Sequence, residues 1–425
     1  MIRILKFGEI PDSEIFARDE KSADVSGIVA DIIGDVRSRG DEALFDYCGR
    51  FDKAELSCLA VTQQELEEAF ASVEPKFLEI LEKAARNIRA FHEKQLRKGF
   101  ESKSPDGIIT GQKITPIEKV GVYVPGGTAS YPSTVLMDTI PAVIAGCKRI
   151  VMVSPPNAEG KIAPVILAAA KIAGVTEIYK LGGAQAVAAL AYGTESVPQV
   201  DKIVGPGNAF VAEAKKQVFG QVSIDMIAGP SEILVVADGK SNPAHVAADL
   251  LSQAEHDKMA SAVLVTESEA LALAVQKQIE LQLAKLPRQE IARASIDNNG
   301  KIIVAEDLET VIAVANRIAP EHLELMVDDP FRYLDGIQNA GSVFMGRSCP
   351  EALGDYYAGP NHTLPTSGTA RFSSGLNVDD FIKKIQYVCC TEDILKDIGD
   401  DIAFFARKEG LEAHARSVLI RTEDK

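Results

Sequence analysis

The chain has 425 residues, 46% hydrophobic and 25% charged, with a net charge of −16. It is too long for one compact core, so two or more domains are expected from a water-soluble composition. The acidic balance argues against nucleic acid and against anionic membranes, and no run of ~18 apolar residues could span a bilayer.

The amino-terminal MIRILKFGEIPDSEIF has neither the apolar region of a signal peptide nor the arginine pattern of a transit peptide. Residues 1 to about 100 read as helical and charged, with helical spacing from Ser26 to Arg37 and from Gln64 to Arg97. Residues 101–115 read as loop and short strand. A new rhythm then begins: strands at Val120–Val124, Arg149–Ser154, Glu177–Leu181 and Lys202–Val204 alternate with helices such as Ser133–Cys147 and Ala163–Gly174. Such alternation predicts right-handed crossovers and a mostly parallel sheet. A second series follows. Ile233–Ala237 is a strand, Asn242-Pro243 is an N-cap and first helical turn, and strands recur at Ala262–Thr266, Lys301–Ala305 and Ser342–Met345. TSGTARFSSG reads as a loop, and the tail from Val378 to Ile420 as mostly helical. The fold class is therefore α/β, with two doubly wound Rossmann-like units, a small N-terminal segment and a C-terminal helical arm.

Three glycine-rich turns, Pro125-Gly126-Gly127, Gly182-Gly183-Ala184-Gln185 and Gly205-Pro206-Gly207-Asn208, each precede a helix. Alone each reads as a tight turn; three on successive units point to one phosphate-binding edge. Polar residues cluster in Gln253–Asp257, Glu321-His322-Leu323-Glu324 and Gly354–His362. Gln253 and His256 are spaced i, i+3 on a helix. With Asp355, His256 could ligate Zn²⁺, although the helical spacing alone is equally that of a solvated helix end. Glu321-His322 is the acid–base candidate, with a helix-terminus pair after Pro320 as the bland reading. Cys147 ends an apolar helix and reads as buried and inert; Cys349 has no histidine nearby in sequence to act as its base. Six cysteines without C-x-x-C point to a reducing, cytoplasmic setting.

GPSEILVVAD, LLSQAEHD, APEHLEL and GDYYAGPNHTLPTSGTARFSSGL closely resemble the histidinol dehydrogenase family, and the likeness runs from VGVYVPGG through VDKIVGPGNAFV to EGLEAHARSV. The resemblance implies an NAD-linked oxidation of L-histidinol to L-histidine through L-histidinaldehyde, with one Zn²⁺ per subunit. It implies Gln253, His256, Asp355 and His414 as metal ligands and Glu321 and His322 as the catalytic pair. Ser231 and Glu409 would contact substrate beside His322 and the ligands, and Tyr123, Gln185 and Asn208 would contact NAD, with Tyr131 the alternative to Tyr123. It implies a homodimer whose tail completes the partner's site. The matching division is 1–19 (N-terminal segment), 20–117 with 236–375 (first α/β domain), 118–235 (NAD-binding domain) and 376–425 (dimerisation arm). A homologous zinc and NAD dehydrogenase for another amino- or sulfo-alcohol, or a nucleotide-sensing or metal-storage protein, would share parts of this pattern.

Overall fold

The computed structural model describes residues 1–18, 24–126 and 130–422, so Gly127 of the first glycine-rich turn lies outside the described residues. In chain order the strands are β1 (Arg3–Lys6), β2 (Phe100–Lys103), β3 (Ile109–Pro116), β4 (Lys119–Tyr123), β5 (Arg149–Ser154), β6 (Glu177–Lys180), β7 (Lys202–Val204), β8 (Ser223–Ile224), β9 (Glu232–Ala237), β10 (Ser261–Thr266), β11 (Lys301–Val304), β12 (His322–Met326), β13 (Ser342–Met345) and β14 (Ile382–Cys389). Two compact units result: Met1–Gln95 with Ile117–Asp380, and Leu96–Pro116 with Phe381–Lys425.

The larger unit holds two parallel sheets, ordered β6-β5-β4-β7-β8 and β1-β11-β10-β9-β12-β13. Each starts at a central strand (β4, β9), winds outward by two crossovers, then returns to the other side. That is the doubly wound order, with a switch point beside the central strand. β9 and β12 are buried at every position, as strands covered by helices on both faces must be. The alanine-rich helices Pro164–Ala173 and Gly183–Tyr192 let the chain pack closely over the five-stranded sheet. Helix Pro243–Ala254 covers the six-stranded sheet through Val246, Ala247, Leu250 and Leu251. Asn242 caps it, accepting from the Ala244 N–H at 2.9 Å, with Pro243 in the first turn as expected.

Several local expectations give way to tertiary packing. The chain start is not all helix: Arg3–Lys6 pairs with β11 at the sheet edge, burying Ile2 and Leu5. Gln64 to Arg97 is split at Pro75 into helices Gln63–Ser72 and Pro75–His92, because proline fits a first turn but not a helix interior. The sequence division places residues 20–117 with 236–375; helices Ser26–Arg39, Gln63–Ser72 and Pro75–His92 pack on the helices of the five-stranded half. The Leu59–Val61 segment also bonds to the edge of β6.

The smaller unit is an antiparallel sheet, β14-β3-β2, followed by helices Glu392–Lys408 and Glu412–Leu419, which meet through Ala403, Ala406 and Ala415. The tail read as mostly helical thus begins with an eight-residue strand paired along its whole length with β3. No described helix is long and apolar enough to cross a membrane.

Candidate active site

The glycine-rich turns follow β4, β6 and β7 at one edge of the five-stranded sheet. Tyr123 ends β4, is buried, and its hydroxyl accepts the Gly183 N–H at 3.0 Å. Gln185 folds back over Gly183, and its Oε1 is buried without a hydrogen-bond partner. Tyr123 and Gln185 are therefore brought together at the sheet edge. Asn208 is exposed and caps helix Ala209–Val218, accepting from the N–H groups of Phe210 and Val211. Tyr131 is half-buried at the start of helix Pro132–Ala145.

Gly205 is held from both sides. Its N–H donates to Asp225 at 2.8 Å, and its carbonyl accepts from Lys215 at 2.9 Å. Lys215 and Asp225 form an ion pair with side chains 2% and 1% exposed. Removing one partner of such a pair would leave an uncompensated buried charge, so the two hold each other in place. Gly205 has φ +116°, and a methyl group there would strike the Tyr123 carbonyl. Gly205→Ala should therefore cost roughly 1–3 kcal/mol or more, read as a lowered denaturation midpoint; an unchanged midpoint would show that the turn relaxes freely.

The second polar group lies at the opposite kind of edge, the amino ends of the six-stranded sheet. His322 opens β12, and helix Pro243–Ala254 ends beside it. The helix stops before His256, but the His256 N–H bonds the Gln253 carbonyl at 3.1 Å, so the closing turn holds the two residues three apart on one side. Gln253 Nε2 lies 3.2 Å from His322 Nδ1, which is itself 3.0 Å from the Glu232 carbonyl oxygen. In a neutral ring, donation from Nδ1 to that carbonyl would leave a lone pair on Nε2. His322 Nε2 faces Asp355 Oδ1 at 3.6 Å and Glu351 Oε1 at 3.8 Å. Glu321 reaches the other edge of the ring, 3.6 Å from Nδ1, and is fixed by the Glu232 N–H at 2.8 Å. The two neighbours do not diverge as strand alternation would have it, because Glu321 precedes the first ladder residue.

Charge and burial explain the electrostatics. Burial pushes Glu321 up to about 8 and Glu351 up to about 7. Burial opposes a charge on His322, yet the carboxylates of Glu351, Glu321 and Asp355 outweigh it and hold its pKa well above the ordinary value. Beneath them, Glu324 Oε1 accepts the Glu351 N–H at 2.7 Å, and burial raises Glu324 to about 9 and its neighbour Asp249 to about 6. In each of these carboxyls burial disfavours the charged form.

Gln253 Oε1, His256 Nδ1, His322 Nε2 and Glu351 Oε2 are all buried without a hydrogen-bond partner. Ligand atoms of His322, Glu351 and Asp355 lie within 4.8 Å of one another. Unsatisfied nitrogen and oxygen donors around surplus carboxylates fit a divalent cation. Ser231 is half-buried just before β9. Glu409 and His414 lie in the smaller unit, both exposed, with His414 on helix Glu412–Leu419. Glu351 escaped sequence reasoning, although its i, i+4 spacing to Asp355 was a usable signal; Asp249 and Glu324 gave none. Burial pushes the Cys147 thiol up to about 12, in keeping with an inert thiol.

The family model described as histidinol dehydrogenase matches residues 16–422. The chain is 57% identical to a histidinol dehydrogenase of Geobacillus kaustophilus over 93% of each chain. It is 53% identical to one of Streptococcus mutans over 98% of this chain and 97% of that one. The crystal structure of histidinol dehydrogenase from Elizabethkingia anophelis superposes with a TM-score of 0.94 at 41% identity, covering 99% and 98% of the two chains. With sequence and structure agreeing over nearly its whole length, the chain belongs to the histidinol dehydrogenase family, oxidoreductases of histidine biosynthesis.

Proposed function

We propose that the protein oxidises L-histidinol to L-histidine through L-histidinaldehyde, using two NAD⁺ in turn and one Zn²⁺ per subunit. The observation that supports this reading is the pair of carboxylates, Asp355 and Glu351, facing His322 Nε2 at 3.6 and 3.8 Å, with Gln253 Oε1 and His256 Nδ1 buried without a hydrogen-bond partner. Gln253, His256 and Asp355 would hold the metal, with His414 as fourth ligand from the tail of a second copy. Bound there, zinc would orient the substrate's imidazole and amine and secondarily polarise its hydroxyl. Bound over the glycine-rich turns beside Tyr123, Gln185 and Asn208, NAD⁺ would accept the hydride.

His322 performs the proton work. With a cation offsetting the surrounding carboxylates the ring would be neutral, the Glu232 carbonyl would hold its Nδ1–H, and Nε2 would take the proton of the alcohol as hydride departs. The aldehyde yields a second hydride only after water has added. Glu321, held by the Glu232 N–H, activates that water, and His322 then accepts a proton from the hydrate. Retaining the aldehyde between steps keeps a reactive carbonyl from solvent. Ser231 and Glu409 would hold the substrate.

Absorbance at the NADH band tests the reading. L-histidinol should give NADH at a rate abolished by a chelator and restored by Zn²⁺. Faster turnover of a different amino- or sulfo-alcohol would favour a sister activity, and zinc or NAD binding without NADH from any alcohol would favour a sensing or storage protein.

A further inference from the structure

The two halves of the site sit on different sheets, yet a hydride must cross between them. Three consecutive residues, Asn361, His362 and Thr363, bond to the one helix that follows the first glycine-rich turn. Asn361 Nδ2 donates to the Met137 carbonyl at 2.6 Å. Thr363 Oγ1 donates to Asp138 Oδ1 at 2.6 Å. Thr134 Oγ1 lies 3.3 Å from His362 Nε2, and His362 Nδ1 lies 3.1 Å from the Asp355 carbonyl oxygen. Thr134, Met137 and Asp138 share a face of helix Pro132–Ala145 through i, i+3 and i, i+4 spacing.

Asp138 is wholly buried and touches none of the reacting groups named above. Its second oxygen has no hydrogen-bond partner and faces Gly205, where an added methyl would come within 3.2 Å of it. Asp138 thus stands between the Gly205–Asn208 turn on one side and the segment running back to Asp355 on the other. A hydrophobic side chain would fill that space at less cost, since burying a carboxyl is expensive. Burial pushes Asp138 up to about 8, so the link to Thr363 works as a bond to a largely neutral carboxyl.

We propose that Asp138 and Thr363 are positioning residues, whose hydrogen bond sets the separation between the coenzyme turn and the segment carrying Asp355 across which hydride passes. This rests on the reading of the two half-sites given above. A misplacement of about 1 Å can cost about 100-fold in rate without weakening ground-state binding.

The experiment compares Asp138→Ala, Thr363→Val and the conservative Asp138→Asn and Thr363→Ser in full-length, zinc-loaded enzyme. The Ala and Val variants should lose roughly 10- to 100-fold in kcat while KM for histidinol and zinc content hold. The isotope effect with histidinol deuterated at the carbinol carbon should rise, because hydride transfer becomes limiting. Asp138→Asn and Thr363→Ser, which keep the bond, should recover most of the rate. Unchanged kcat, or a loss that tracks the fraction of folded sites with no change in isotope effect, would overturn the proposal. Absence of NADH from histidinol in the parent enzyme would instead sink the functional reading itself, before any variant is compared.

Discussion

His322→Ala is expected to lower NADH production on the order of 10²–10⁴-fold while leaving zinc bound. The reason is positional. His322 is 4% exposed at the head of β12, with one ring nitrogen committed to a backbone carbonyl and the other facing the pocket. Glu321→Gln should separate the two steps. The first oxidation needs no added water, so a single turnover should release about one NADH where the parent releases about two. Metal analysis alongside the kinetics decides the assignment: a matching fall in zinc in either variant would make these residues ligands and not bases.

Mixing chains gives the second large effect. The His322→Ala and His414→Ala proteins should each be nearly inactive. If the tail of one copy completes the other copy's site, a heterodimer has one site with both histidines intact. Random reassortment makes half the dimers mixed, so the mixture should regain about one quarter of parental turnover. If each tail served its own chain, no combination would restore activity. His414 and Glu409 are exposed on their own unit, which leaves both free to meet another surface. Recovered activity in a monomeric fraction would refute the crossing.

The sequence carried the alternation of strands and helices because buried parallel strands read as short β-branched runs between Gly and Pro. Arg149–Ser154, Lys202–Val204 and Ser342–Met345 coincide with observed strands residue for residue. His322–Met326 escaped for a physical reason. A strand buried on both faces is normally apolar, but here His322 and Glu324 occupy one face and Leu323 and Leu325 the other. The polar face is stabilised by partners from helix 243–254 and from Glu351, none of them near in sequence. Ile382–Cys389 was hidden differently: its outward residues are exposed, and only pairing with β3, more than 260 residues earlier, makes it a strand. The candidate site divides along the same line. Gln253 with His256 and Glu321 with His322 were legible as local motifs. Glu351, and the Asp138–Thr363 bond, depend on contacts the chain makes at long range.

The two halves wind alike but use opposite ends. On the five-stranded sheet, the glycine-rich turns lead into helix N-termini at Gly183 and Ala209. On the six-stranded sheet, helix Pro243–Ala254 arrives at the pocket by its C-terminus. Peptide dipoles sum along a helix to about half a positive charge at its start and half a negative charge at its end. One repeated architecture therefore offers a positive field at one edge, suited to a coenzyme's phosphates, and a negative field at the other, suited to a dication and to a substrate bearing protonatable nitrogens. The polarity of each pocket is set by chain direction, before any charged side chain is placed.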